Sequence, residues 1–91
     1  MNEITIGYLS WERHDILEQT LKSHKENGLF EIIAPENRII FFQEISQQDK
    51  NIANKYNLNT LGNKENIGIL NAFVELVQKC QTKYFIFCDV L

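Results

Sequence analysis

The chain has 91 residues and a formal net charge of −3, with apolar and charged fractions of 44% and 23%. That length fits one small domain, and that composition excludes a disordered chain. No cluster of Lys or Arg offers the basic footprint that nucleic acid requires, and no apolar run approaches the roughly 20 residues needed to span a bilayer.

The first segment, "EITIGYL" at 3–9, places Ile4, Ile6 and Leu9 in an apolar run with polar borders and predicts a strand. "SWERHD" is a loop. Asp15 is the expected N-cap of the first helix, with Glu18 three positions on as in a capping box. Ile16, Leu17 and Leu21 follow at helical spacing, and Gly28 is the expected residue just past the C-terminus, so 16–27 is predicted helix. "LFEIIAPEN" is ambiguous, and its "PEN" is a turn. "RIIFFQ", 38–43, is apolar almost throughout, the pattern of a strand covered on both faces. Ser46 and Asp49 form a second cap pair ahead of Ile52, Ala53 and Tyr56. "LNTLG", 58–62, is a short strand. In 67–80, Ile67, Leu70, Phe73, Val74, Val77 and Cys80 recur every three or four residues, which predicts a third helix. "KYFIFCD", 83–89, is the last strand.

Strands and helices alternate, so the expected fold class is α/β, with a parallel sheet and crossover helices. Right-handed crossovers favour a three-layer, half-Rossmann-like arrangement of four parallel strands in the order 3-2-1-4. The order 2-1-3-4 is the alternative. In the first, two helices cover one face and the third covers the other. The chain reverses direction between strands 1 and 4, and ligands of such sheets bind at the carboxyl ends of the strands at that reversal. Ser10, Trp11 and Glu12 lie there, with Cys88 and Asp89.

"NKENIGILNAF", 63–73, opens the third helix at the same end of the sheet. Its first amides lack intrahelical partners and carry partial positive charge, so an anion can sit there without a lysine. Gly68 lets another group approach the backbone. The plainer reading is that Asn63 or Asn66 caps the helix and Gly68 avoids a clash with strand 1. Neither a G-x-G-x-x-G nor a P-loop lysine is present. Asp89 is one carboxylate that a divalent cation and a diphosphate could share; otherwise it is an exposed strand end. Gln43 and Glu44 end strand 2, placed either to hydrogen-bond a base or ribose or to organise the next turn. Trp11 is a stacking surface or a lid over the core. His14 and His24 are expected at the surface or at caps, and no Ser–His–Asp or Cys–His arrangement follows from spacing. Cys80 and Cys88 sit in apolar surroundings and are expected to be reduced. With no basic region and apolar core at the N-terminus, the expected location is cytoplasmic.

"ITIGYLSWER", "IIFFQEIS", "LGNKENIGILNAFVELV" and "KYFIFCD" together resemble, in order and over nearly the whole chain, the first half of family 2 glycosyltransferases with the GT-A fold. "SWER" is similar to the segment that ends the family's first strand, "QEIS" to the acidic turn after its second, and Asn66, Gly68 and Ala72 to its Asn-x-Gly-x-x-x-Ala helix start. The resemblance implies a nucleotide diphosphate sugar, often a uridine diphosphate sugar, held with magnesium or manganese. It implies Leu9, Ser10 and Glu12 near the nucleotide, Gln43 and Glu44 in place of the base-contacting turn, and Asp89 as the first acid of the metal motif. Two positions depart from the pattern. Gln43 replaces an acid, and Leu91 stands where the second metal acid belongs. The expectation for 1–91 is a single partial nucleotide-sugar-binding domain, without the half that holds the acceptor and with little turnover of its own. A second expectation, from a different class, is a non-catalytic α/β module that docks on a partner or forms a homodimer through the 83–89 edge.

Overall fold

The computed structural model describes residues 3–90. The elements run β1 (Ile4–Ser10), α1 (His14–Glu26), α2 (Leu29–Ile32), a 3₁₀ turn (Pro35–Asn37), β2 (Arg38–Phe42), α3 (Gln47–Lys55), β3 (Asn59–Gly62), α4 (Ile69–Lys79) and β4 (Tyr84–Val90). The four strands form one parallel sheet in the order β3-β2-β1-β4. This is the half-Rossmann-like α/β arrangement expected from the alternation. No helix among the described residues is long and apolar enough to cross a membrane.

Strand alternation sorts the core into two layers. Ile6, Tyr8, Ile40 and Phe42 face α1 and α3, where they meet Leu17, Leu21, Ile52 and Ala53. Leu9, Ile39 and Phe41 face α4, where they meet Ala72 and Leu76. All five residues of β2 are buried, as its unbroken apolar run requires. Leu17 and Leu21 lie one turn apart on α1 and are fully covered; each such burial stabilises the fold by about 1.5–3 kcal/mol. Gly7 lies under the Phe85 ring, which would stand 2.7 Å from an added Cβ, so β4 packs closely against β1 there.

The helix ends differ from the sequence expectation in instructive ways. α1 begins at His14, with Arg13 as N-cap and no side-chain cap bond, so Asp15 falls inside the first turn instead of capping it. A carboxylate there still favours the helix dipole. Glu18 completes no capping box; it reaches α3, where Lys55 Nζ donates to it at 3.1 Å. Gly28 does adopt the left-handed conformation just beyond α1, with φ +84°. The ambiguous segment after it becomes the four-residue α2. Arg38 secures it to the sheet by donating to Ile33 O at 2.9 Å and Phe30 O at 2.6 Å. Ser46 and Asp49 form the expected capping box on α3: Asp49 N–H donates to Ser46 Oγ and Ser46 N–H donates to Asp49 Oδ2.

Both histidines have structural partners that spacing did not reveal. His14 Nε2 lies 2.7 Å from Oδ1 of the buried Asp49, joining the start of α1 to the start of α3. Ser46 Oγ is used in the cap, so these three residues are a brace and not a nucleophilic triad. His24 lies 2.6 Å, through Nδ1, from the hydroxyl of the fully buried Tyr8. Burial holds the Tyr8 hydroxyl protonated well above the ordinary tyrosine range, and that hydroxyl donates to His24 Nδ1 or accepts from it according to the imidazole tautomer. Cys80 and Cys88 are free thiols, half-buried and not fully in the core.

Burial also lowers the His24 pKa from its ordinary 6.5. Below that value the unfolded chain binds a proton that the folded chain refuses, so stability is complete above pH 6.5 and falls as the solution is acidified. Urea unfolding at about pH 7.5 and about pH 5.5 should show lower stability at the acid value. His24→Gln, which retains an acceptor for Tyr8, should remove much of that difference; an unchanged slope in this variant would count against the assignment.

Candidate functional site

The reversal between β1 and β4 places four chain segments together at the carboxyl end of the sheet. Leu9 and Asp89 are neighbours in the β1–β4 register and share the α4 face. The loop leaving β1 adds Trp11 and Arg13, and the start of α4 adds Asn66 and Ile69. Gln43 and Val90 complete the lining of a cleft of about 270 Å³. Arg13 is its one cationic lining residue and Asp89 its one anionic lining residue among those described. A wider depression of about 680 Å³ lies over α1 and α3. Its lining pairs Lys55 with Glu18 and adds Lys22, Lys25 and Glu26, and it sits on helix surfaces away from the strand ends.

Gln43 is the structural centre of this end. It is buried, and its amide uses both ends on the loop before α4: Nε2 donates to Gly68 O at 3.0 Å, and Ile67 N–H donates to Oε1 at 2.9 Å. An ionised acid cannot make the first of these bonds, which accounts physically for an amide at this position. Asn71 adds a third tie, its Nδ2 donating to Ile67 O at 2.9 Å.

The start of α4 corrects the reading of "NKENIGILNAF". The helix begins at Ile69, two residues later than its apolar spacing indicates, and Gly68 is the N-cap residue. Neither asparagine caps it; Asn66 Oδ1 instead accepts from Gly68 N–H at 2.8 Å. No side chain caps α4 among the described residues. Gly68 relieves no clash with β1, because an added Cβ would meet nothing within 4 Å. It is required by its backbone, with φ +86° and ψ 159°, a region that only glycine enters without strain.

Glu44 follows Gln43 but is exposed, and its Oε2 accepts from Trp11 Nε1–H at 2.6 Å. That bond ties the loop after β1 to the loop after β2. Glu12 and Glu44 both have left-handed backbones, φ 51° and 50°, unusual for residues other than glycine, asparagine or aspartate. Ser10 lies one residue beyond Leu9 and so faces the α1 side of the sheet, away from Leu9 and Asp89. Its buried Oγ has no hydrogen-bond partner among the described residues. Glu12 does not line the cleft.

The described residues contain no group of three His, Cys, Asp or Glu side chains placed to hold a metal ion. Asp89 is a single carboxylate, and Leu91 lies outside the described residues. A magnesium or manganese ion at Asp89 would need further oxygen ligands from a bound ligand or from water. Arg13 is the charged lining residue that sequence reasoning missed, along with the apolar Ile69 and Val90. Its signal was available: it is the first cation after β1, two positions from Trp11 in a loop already assigned to the reversal. No protein-family model, curated protein or solved structure matches the chain.

Removing the amide clamp should loosen the start of α4. Gln43→Ala removes a buried side chain and both of its hydrogen bonds to the loop before α4, and should cost about 1–3 kcal/mol in urea unfolding. Gly68→Ala should cost a similar amount, roughly 1–3 kcal/mol, through backbone strain alone. In the opposite direction, Glu12→Gly should stabilise the fold by up to about 1 kcal/mol by relieving a left-handed non-glycine backbone. Wild-type stability in Gln43→Ala would show that the clamp contributes nothing.

Proposed function

We propose that the cleft binds the diphosphate of a nucleotide sugar, and that the chain is the nucleotide-binding portion of a glycosyltransferase, with little transfer activity of its own. The observation that carries this reading is the convergence of Arg13, the uncapped start of α4 and Asp89 on one cleft at the chain reversal. A guanidinium matches phosphate oxygens in a two-pronged geometry. The free amides of the first turn of α4 add partial positive charge where an anion would lie. Trp11, steadied by Glu44, offers a ring on which a base can stack.

The cleft volume, about 270 Å³, is near the lower end for ligand pockets, roughly 300 Å³. It suits a diphosphate and an adjoining ribose better than a whole nucleotide sugar. Gln43 serves this site by holding Ile67 and Gly68 in place, and Glu44, outside the cleft lining, serves it by positioning Trp11. A divalent ion would join Asp89 only together with the diphosphate, whose oxygens supply its other ligands. In the proposed transfer, the bond from the sugar to the diphosphate breaks and a bond to an acceptor hydroxyl oxygen forms. In this reading Asp89, the one carboxylate of the cleft lining, is taken by the metal, so the acceptor proton goes to a base outside that lining and low turnover is expected of the cleft alone. A cytoplasmic location accords with this reading, since nucleotide sugars of this kind are water-soluble phosphates.

A second reading has its own support. Tyr84 and Ile86 leave apolar surface exposed on the outermost strand, as a self-associating, non-catalytic module would.

Titration of uridine diphosphate with magnesium, followed by amide and indole chemical shifts, distinguishes the two. The expected changes cluster at Trp11, Arg13, Ile69 and Asp89, and Arg13→Ala should weaken binding roughly 10-fold or more, given about 1.5–3 kcal/mol for a hydrogen bond to a charged group. Magnesium alone should leave Asp89 unshifted. An absence of shifts at millimolar nucleotide would overturn the nucleotide reading and leave the module reading in place.

A further inference from the structure

The cleft lies at the carboxyl ends of the strands. At the opposite end β2 begins with Arg38, and α1 and α3 both finish there. A hollow of about 310 Å³ opens between them and α2. Its lining holds three cations, Lys25, Arg38 and Lys55, and one acid, Glu31.

Arg38 is the unusual member. It is only 7% exposed, and its guanidinium lies 4.7 Å from the Phe30 ring centroid. Nε and Nη2 donate to Ile33 O and Phe30 O. Nη1 has no hydrogen-bond partner among the described residues, yet it is not sealed inside. Ser10 Oγ is the one fully buried side-chain atom there without a partner, so Nη1 keeps access to the surface with two N–H donors. The ion pairs among the described residues are His14–Asp49 and Lys55–Glu18, and neither involves Arg38. Buried charges are ordinarily paired. The two carbonyls supply dipoles but no counter-charge, and burial lowers the Arg38 pKa against the weaker pull of Tyr8 and Glu36.

Lys25 and Lys55 stand in the last turns of α1 and α3, where a cation suits the helix dipole. That accounts for each lysine singly. It does not account for three cations around one hollow in a chain of net charge −3, or for the unused Nη1. Lys25 has no ion-pair partner among the described residues. The carboxylate of Glu31 turns toward Gly28, where its Oε2 would lie 3.7 Å from an added Cβ.

The surrounding charge selects the ligand. Exposed Glu26 lines the adjoining depression, exposed Glu31 lines the hollow itself, and exposed Glu36 lies near Arg38. These acids repel an extended polyanion or an anionic membrane and leave room for one compact group. A guanidinium and two ammonium groups match a dianion, and a phosphate monoester approaches a charge of about −2 near neutral pH. Arginine pairs with phosphate oxygens in a directional geometry.

We propose that this hollow is a second anion site, taking the phosphate of a small phosphate monoester between Arg38 Nη1, Lys25 and Lys55. The phosphate supplies the counter-charge that Arg38 lacks. The site lies at the far end of the sheet from the cleft and does not depend on the nucleotide reading.

Inorganic phosphate and glycerol 3-phosphate are the probes, each titrated at constant ionic strength against a chloride control and followed by chemical shifts. Both should give saturable changes at the Lys25, Phe30 and Asn57 amides and at the Arg38 guanidinium. Trp11 and Ile69 report the cleft separately, so the two sites are distinguished in one titration. Lys25→Glu should weaken binding roughly fivefold or more, as for an exposed ion pair lost. Lys22→Glu, beside the hollow but outside its lining, should weaken it less. Arg38→Lys keeps the charge and loses the forked donor; it should weaken binding with the circular dichroism of the folded chain retained. Should that variant unfold, the comparison of the two lysine variants decides. Changes confined to the cleft, changes that do not saturate through the millimolar range, no response to the ester, a guanidinium that does not move, or equal losses in Lys22→Glu and Lys25→Glu would each overturn the proposal.

Discussion

β1 has a parallel neighbour on each side, β2 and β4. A parallel neighbour is reached only by a crossover that travels over one face of the sheet. Because crossovers share one hand, growth first toward β3 and then back to β4 places α1 and α3 on one face and α4 on the other. The two faces then diverge at the carboxyl end of β1, and the gap between their loops is the cleft. Leu9 and Asp89 are paired there by the same register that makes the sheet. The site is thus a consequence of topology before any side chain contributes chemistry.

Side chains then stitch successive strand-to-helix loops together at that end. Trp11 and Glu44 join the loops after β1 and β2. His14 and Asp49 join the starts of α1 and α3. Gln43 joins the end of β2 to the start of α4. Each tie crosses from one βα unit to the next, so the loops are held relative to one another as well as to the sheet. The left-handed conformations of Glu12 and Glu44 persist within this network, although each is intrinsically unfavourable. Pre-organised loops lower the ordering cost of binding, which suits a small, open cleft.

The two helical layers are unequal. α1 and α3 cover β1 and β2 on one face, while α4 alone serves the other and still leaves Leu70, Val74 and Val77 exposed. A chain this short buries a limited share of its surface, and the unburied share is not spread evenly: it gathers at α4 and β4. A strand that is both a sheet edge and an apolar ridge has backbone groups and side chains available to one partner at once, and this distinguishes β4 from β3.

The four strands, the three longer helices and their order were legible in the sequence, because periodicity and length record which faces are buried; "RIIFF" reads as covered on both faces and is, while the four-residue α2 is too short to leave a period. The capping box of Ser46 and Asp49 was legible for the same reason, since its two residues are three apart and meet within one turn. The parts that tertiary structure alone decided are contacts between residues far apart in the chain: His14 with Asp49, Tyr8 with His24, Trp11 with Glu44, Gln43 with Ile67 and Gly68. Local pattern carries no information about which distant polar group a buried donor will find. Asp15 and Asn66 show the limit in miniature: both satisfy the local rule for an N-cap. The surrounding packing started α1 one residue before Asp15 and α4 three residues after Asn66, because the ends of a helix are set by what its neighbours hold in place.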